Sequence, residues 1–116
     1  MNQTAKKYSL GFRVWINEEH GHFLGIGRVR LLENIRVTGS ITNAAKVMKM
    51  SYRQAWQMVE DMNNASEKLL VEKTLGGKGG GGAHVTEAGE KAIKLFYKLE
   101  EKMSGFSKEL GEKMKL

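Results

Sequence analysis

The chain has no cysteine and no proline in its 116 residues. Without cysteine there are no disulfides, thiolate metal sites or thiol nucleophiles, which fits a reducing cytoplasm, the expected location. Without proline, nothing obliges a helix to kink or stop. No apolar run approaches the roughly 18 residues of a membrane span. Met1 to Lys7 is polar and lacks the apolar core of a signal peptide, so a soluble protein with no membrane partner is expected. The chain also lacks any concentration of chemistry. No paired carboxylates or Ser/His/Asp set emerges. Glu19, His20 and His22 fall on one turn with no second cluster to complete a metal site. The expectation is therefore a protein with no catalytic residue, no metal and no cofactor. The last absence is local. The chain holds 13 acids, yet none lies between Ile35 and Met58, where Arg36, Lys46, Lys49 and Arg53 stand. With a net charge of +6, this points to a polyanionic partner.

The length suits one domain. Residues 1–7 read as a flexible polar arm and 8–116 as a single folded unit. Tyr8, Leu10, Phe12, Val14 and Ile16 alternate with more polar neighbours, which predicts a strand with one buried face. A turn at Gly21 and a short piece at Phe23–Leu24 would close a ribbon. From Ile26 the period becomes three to four, which predicts a helix ended by Gly39 in a left-handed conformation. Ser40 or Thr42 can cap a short helix that turns Ile41, Ala44, Ala45 and Met48 inward. Ser51 with Gln54 three residues later is a capping box for the next helix. Its buried stripe is Ala55, Val59 and Met62, with Met58 beside it, and Asn63 and Asn64 suit its end. Leu70–Leu75 reads as a strand, "AHVT" as its return, and Thr86 as the cap of a long helix reaching about Lys115. The architecture expected is mainly α with small β: a helix-turn-helix followed by a hairpin and a long helix.

Between the two strands lies "LGGKGGGG", six glycines around Lys78. A nucleotide-binding phosphate loop needs a first glycine where Glu72 stands and a hydroxyl where Gly79 stands, so that motif fails at both ends. "GIGRVR" opens a helix after a strand, as a dinucleotide fingerprint does, but Arg30 takes the place of its third glycine and a helix follows. The tract is better read as a hairpin tip that presents Lys78 and bare backbone N–H groups to phosphates. Two short basic helices joined by "MKMS" are the pattern of a helix-turn-helix, whose second helix lies in the major groove of DNA. Around the Ala55–Val59–Met62 stripe, Tyr52, Arg53, Gln54, Trp56 and Gln57 point outward. Arginine can fork onto guanine and glutamine can pair with adenine. Ser51 is a cap first, and it could also hold a phosphate at the positive helix end. Ser40, Thr42 and Lys49 complete the expected DNA-contacting set. Trp56 and Tyr52 stay open between core packing and contact with sugar and phosphate.

Ala92, Phe96, Leu99, Met103, Phe106 and Leu110 recur four and three apart along the last helix. This is a short heptad seam, which predicts a homodimer, with first-helix residues such as Leu31 sharing the interface. A protein-docking module of the same fold is the alternative function, and salt-insensitive binding would mark it.

The stretch from Gly39 to Phe96 resembles the N-terminal domain of ModE-type molybdate-responsive regulators. The carriers are Gly39-Ser40-Ile41, Ala44-Ala45, Ser51-Tyr52, Ala55-Trp56, Met62-Asn63, "GGKGGGGA" and the Thr86-x-x-Gly89 that follows. The helix-turn-helix also looks like that of LysR-type regulators. The resemblance covers roughly residues 8–105. It implies a winged helix-turn-helix that dimerises and binds double-stranded DNA, with the glycine tract as the wing. Tyr52, Arg53, Gln54, Gln57 and Lys78 inherit the DNA role by that resemblance, which also suggests molybdenum transport or molybdoenzyme genes as targets. Regulators of this type continue into domains that hold molybdate or tungstate. No molybdate site carries over to any residue here, so no molybdate-binding domain is expected, and the expectation is either a short, effector-free version or an effector on a separate partner.

Overall fold

A computed structural model describes residues 6–74 and 82–116. The element order is β1 (Trp15–Glu18), β2 (Gly21–Gly25), α1 (Ile26–Thr38), α2 (Ile41–Val47), α3 (Tyr52–Ala65), β3 (Val71–Thr74), β4 (Gly82–Val85) and α4 (Glu87–Glu112). This is the expected winged helix-turn-helix: three helices, an antiparallel β3–β4 hairpin and a long last helix. The tip of the hairpin, with Lys78, lies outside the described residues, as do the first five residues of the expected arm and Leu75.

The helix boundaries follow from local hydrogen bonding. Gly39 ends α1 at φ 71°, and its N–H donates to the Ile35 carbonyl. That left-handed turn suits glycine, which has no Cβ to clash. The Ser40 side chain accepts from the Asn43 N–H, so Ser40, not Thr42, caps α2. Ser51 accepts from the Gln54 N–H and Thr86 from the Gly89 N–H, each satisfying a donor that the first helical turn leaves free.

The core is one cluster. Leu24 from the ribbon, Val29, Leu31, Leu32 and Ile35 from α1, and Ile41, Ala44 and Ala45 from α2 meet Ala55, Val59 and Met62 from α3. Ile93 and Phe96 of α4 and Leu70, Val71 and Ala83 of the hairpin close it. The isolated bridge between Ser40 and Gly82 fastens the hairpin to the α1–α2 turn, where the Ala83 N–H donates to the Gly39 carbonyl. Tyr97 donates to a Glu33 carboxylate oxygen at 2.7 Å, and Arg36 pairs with Glu90, tying α4 to α1. Partial burial, together with the Glu33 acceptor, pushes the Tyr97 phenol up to about 12. Arg36 therefore serves the fold, although it belongs to the basic window.

Three expectations need correction. The long first strand shrinks to β1. β2 pairs Gly25 with Trp15 and then passes into α1 at Ile26, so no partner strand remains for Tyr8–Val14. A strand without a ladder leaves its backbone groups unpaired. That segment instead runs against the C-terminal half of α4, where the Ser107 hydroxyl donates to the Leu10 carbonyl and Gly111 lies under Leu10. Tyr8, Leu10 and Phe12 stay substantially exposed. Second, Phe96 is fully buried in its own domain, because α4 turns it toward the core. Third, Leu31 is fully buried in the same core and cannot share an interface.

Candidate nucleic-acid interface

The phase of α3 decides what it offers outward. With Ala55, Val59 and Met62 fully buried, Tyr52, Arg53, Gln54 and Gln57 emerge on the exposed side. Tyr52 opens α3 and keeps half its surface, so it is a surface residue and not core. Thr42 and Lys49 are exposed, Ser51 is an exposed cap, and Ser40 is a half-buried one. Among the described residues no carboxylate pairs with Lys46, Lys49 or Arg53. The fold thus brings the expected helix residues to one end of α3 and leaves their cations free for an outside anion.

Trp56 lies outside the core cluster and is 37% exposed. The Lys73 ammonium sits 4.9 Å from its ring centroid, a cation–π contact, and also pairs with Glu60. Strand β3 therefore leans on the face of α3, and the root of the wing touches the helix next to Gln57.

Lys49 takes φ 57° in the turn between α2 and α3, where the Met50 N–H returns to the Ala45 carbonyl. A side chain in this conformation costs about 1 kcal/mol that glycine avoids. Lys49→Gly is expected to raise stability by about 1 kcal/mol in urea unfolding. It should also weaken duplex binding by a similar factor on every sequence.

No protein-family model matches the chain. The transcriptional regulator ModE of Yersinia pestis is 52% identical over 69 residues, which is 60% of this chain and 26% of that protein. The transcriptional regulator ModE of Haemophilus influenzae is 45% identical over 78 residues, 67% of this chain and 31% of that one. The molybdenum transport protein ModE of Azotobacter vinelandii is 35% identical over 102 residues, 88% of this chain and 38% of that protein. The chain carries a ModE-type winged-helix domain. It spans about a quarter to two fifths of the length of the curated relatives it matches.

Sequence reasoning missed four residues around the exposed face of this ModE-type domain. Lys73 and Glu60 form the pair beside Trp56. Asp61 accepts from the Gln57 side-chain amide at 2.9 Å. Arg28, mostly buried, donates to the carbonyls of His22 and Phe23 and faces Asp61 at 3.6 Å. Partial burial, with Arg28 nearby, lowers the pKa of His22 below the ordinary histidine value. The Gln57–Asp61 spacing of four is a helical-neighbour signal present in the sequence. The Arg28 and Lys73 contacts join residues far apart in the chain and carried no such signal. The ribbon turn gathers Glu18, Glu19 and His20, not His22, with their ligand-capable atoms within 4.8 Å of one another. Glu19 and His20 are exposed, and the His20 N–H is already bonded to Glu18, as in an ordinary polar turn.

Proposed function

We propose that the protein is a sequence-specific, double-stranded-DNA-binding transcriptional regulator that acts as a homodimer. The observation that carries this reading is the outward face of α3, where Tyr52, Arg53 and Gln57 stand exposed and, among the described residues, no acid is paired to Arg53. An exposed helix bearing forked and amide side chains beside a hairpin has the shape and chemistry of a major-groove reader. The relatives named as transcriptional regulators support the same reading. The relative named as a molybdenum transport protein supports molybdate transport or molybdoenzyme genes as the regulated set.

A second copy is supported by α4. Leu95, Leu99, Met103, Phe106 and Leu110 are each between 37 and 55% exposed and lie on one stripe. An apolar stripe of that kind on an otherwise polar surface is rarely left wet. The same stripe on a twin covers it with a self-complementary partner. Two copies would present two α3 helices to half-sites about one DNA turn, roughly 34–36 Å, apart.

Selection of bound fragments from random duplex DNA tests both parts together. A two-part symmetric site is the expected outcome, and failure to enrich any sequence would reject the reading. On the selected duplex, Arg53→Ala is expected to cost about 1–3 kcal/mol and to relax preference at one base pair per half-site. An unchanged isotherm and an unchanged base preference would remove Arg53 from the interface. Binding that ignored salt would contradict contact with phosphates.

A further inference from the structure

The acid-free window ends at Glu60 and Asp61, and Asp61 is placed to act on the reading face. Its carboxylate accepts from the Gln57 side-chain nitrogen at 2.9 Å, one helical turn away. A carboxylate only accepts hydrogen bonds, so Gln57 must turn its NH2 group toward Asp61 and its carbonyl oxygen away. One N–H of that group is used by Asp61 and the other stays free. The free edge of the amide is then one donor beside one acceptor. That pair matches the N7 acceptor and N6 amino donor of adenine in the major groove.

Asp61 is itself anchored from behind. The Arg28 guanidinium donates from one terminal nitrogen to the carbonyls of His22 and Phe23 at 3.0 and 2.9 Å and turns its second terminal nitrogen toward Asp61 at 3.6 Å. The Arg28 side chain is only 16% exposed, so it is a fixed post and not a mobile surface cation. The ribbon–helix junction thus holds Arg28, Arg28 holds Asp61, and Asp61 orients Gln57.

We infer that Asp61, backed by Arg28, is a positioning residue that fixes the amide of Gln57 and thereby selects adenine at one position of each half-site. The inference rests on the DNA-binding reading above. A free glutamine can present either edge and would discriminate less. Orienting it before binding avoids the ordering cost at the interface.

The test is a double-mutant cycle on duplexes recovered by selection, with the base facing Gln57 varied through all four pairs. Asp61→Ala is expected to reduce the preference for adenine by about three- to tenfold and to leave the salt slope unchanged. Gln57→Ala should remove the same preference. In the Gln57→Ala background, Asp61→Ala should have no further effect on it, which a merely structural role would not produce. The circular dichroism of each variant reports that the helices remain. An unchanged base preference in Asp61→Ala overturns the inference while the DNA-binding reading stands. So does a uniform gain in affinity from losing a negative charge, or additive effects in the cycle. A wild-type chain that prefers no duplex sequence overturns both.

Discussion

Replacing Phe106 by aspartate is expected to convert the protein to monomers and to lower its affinity for a two-part operator by about 100-fold or more. The side chain belongs to the exposed α4 stripe and, at 55%, is its most exposed member. It contributes little to the core of its own protomer, so the monomer should keep its fold and its helix signal. In a dimer the same position would be desolvated against the twin, where an unpaired carboxylate is costly. Once the copies separate, each binds its half-site alone and the gain from linking two sites is lost. Sedimentation equilibrium checks the mass, and titration of whole and half operators checks the affinity. Binding to a half-site should change little. A variant that stayed dimeric would show that α4 is not the seam.

The second large effect is expected at Asn63. Its side-chain oxygen accepts from the Leu70 and Val71 N–H groups, at 2.8 and 3.2 Å, while its nitrogen donates to the Val71 carbonyl at 3.0 Å. One side chain thus completes the backbone bonding where the chain leaves α3 and enters the wing. Asn63→Ala leaves these partly buried groups unpaired together and is expected to cost about 2–3 kcal/mol. In a domain of this size that lowers the melting temperature by about 10–20 °C. Asn63→Asp keeps both acceptances and loses the donation, so its loss should fall between those of wild type and alanine. Thermal unfolding followed by circular dichroism separates the three proteins. Equal melting temperatures would mean that the clamp contributes nothing net.

Asn63 also shows how far sequence reasoning reached. With Asn64, its amide suits a helix end, and α3 does end one residue further on, at Ala65. The Asn63 side chain also works on backbone seven and eight residues further on, where the chain enters β3. The reach of a side chain is legible from neighbours within a turn of the helix. Its target is not legible when the chain must double back to deliver it. Phe96 shows the same limit from the other side. The heptad spacing of α4 is real, but spacing alone cannot say which part of the stripe the protein's own core will cover. The core takes Ile93 and Phe96 and leaves Leu95, Leu99, Met103, Phe106 and Leu110 outside. Trp56 was undecidable because a ring beside a buried stripe can lean either way. Lys73 from a different element settles its environment.

The sequence by itself determined the caps at Ser51 and Thr86, the left-handed stop at Gly39, and the phase of α3 that turns Arg53 and Gln57 outward. Each depends on hydrogen bonds or burial periodicity within a few residues, so neighbours in the chain suffice. Only the tertiary structure decided the length of the first ribbon, the packing of Leu10 on Ser107, the Lys73–Trp56 contact and the Arg28–Asp61–Gln57 arrangement. Apart from the Gln57–Asp61 step within one helix, these join groups that meet only after the chain has folded back on itself. Their partners are chosen by the packing of whole elements and not by local propensity.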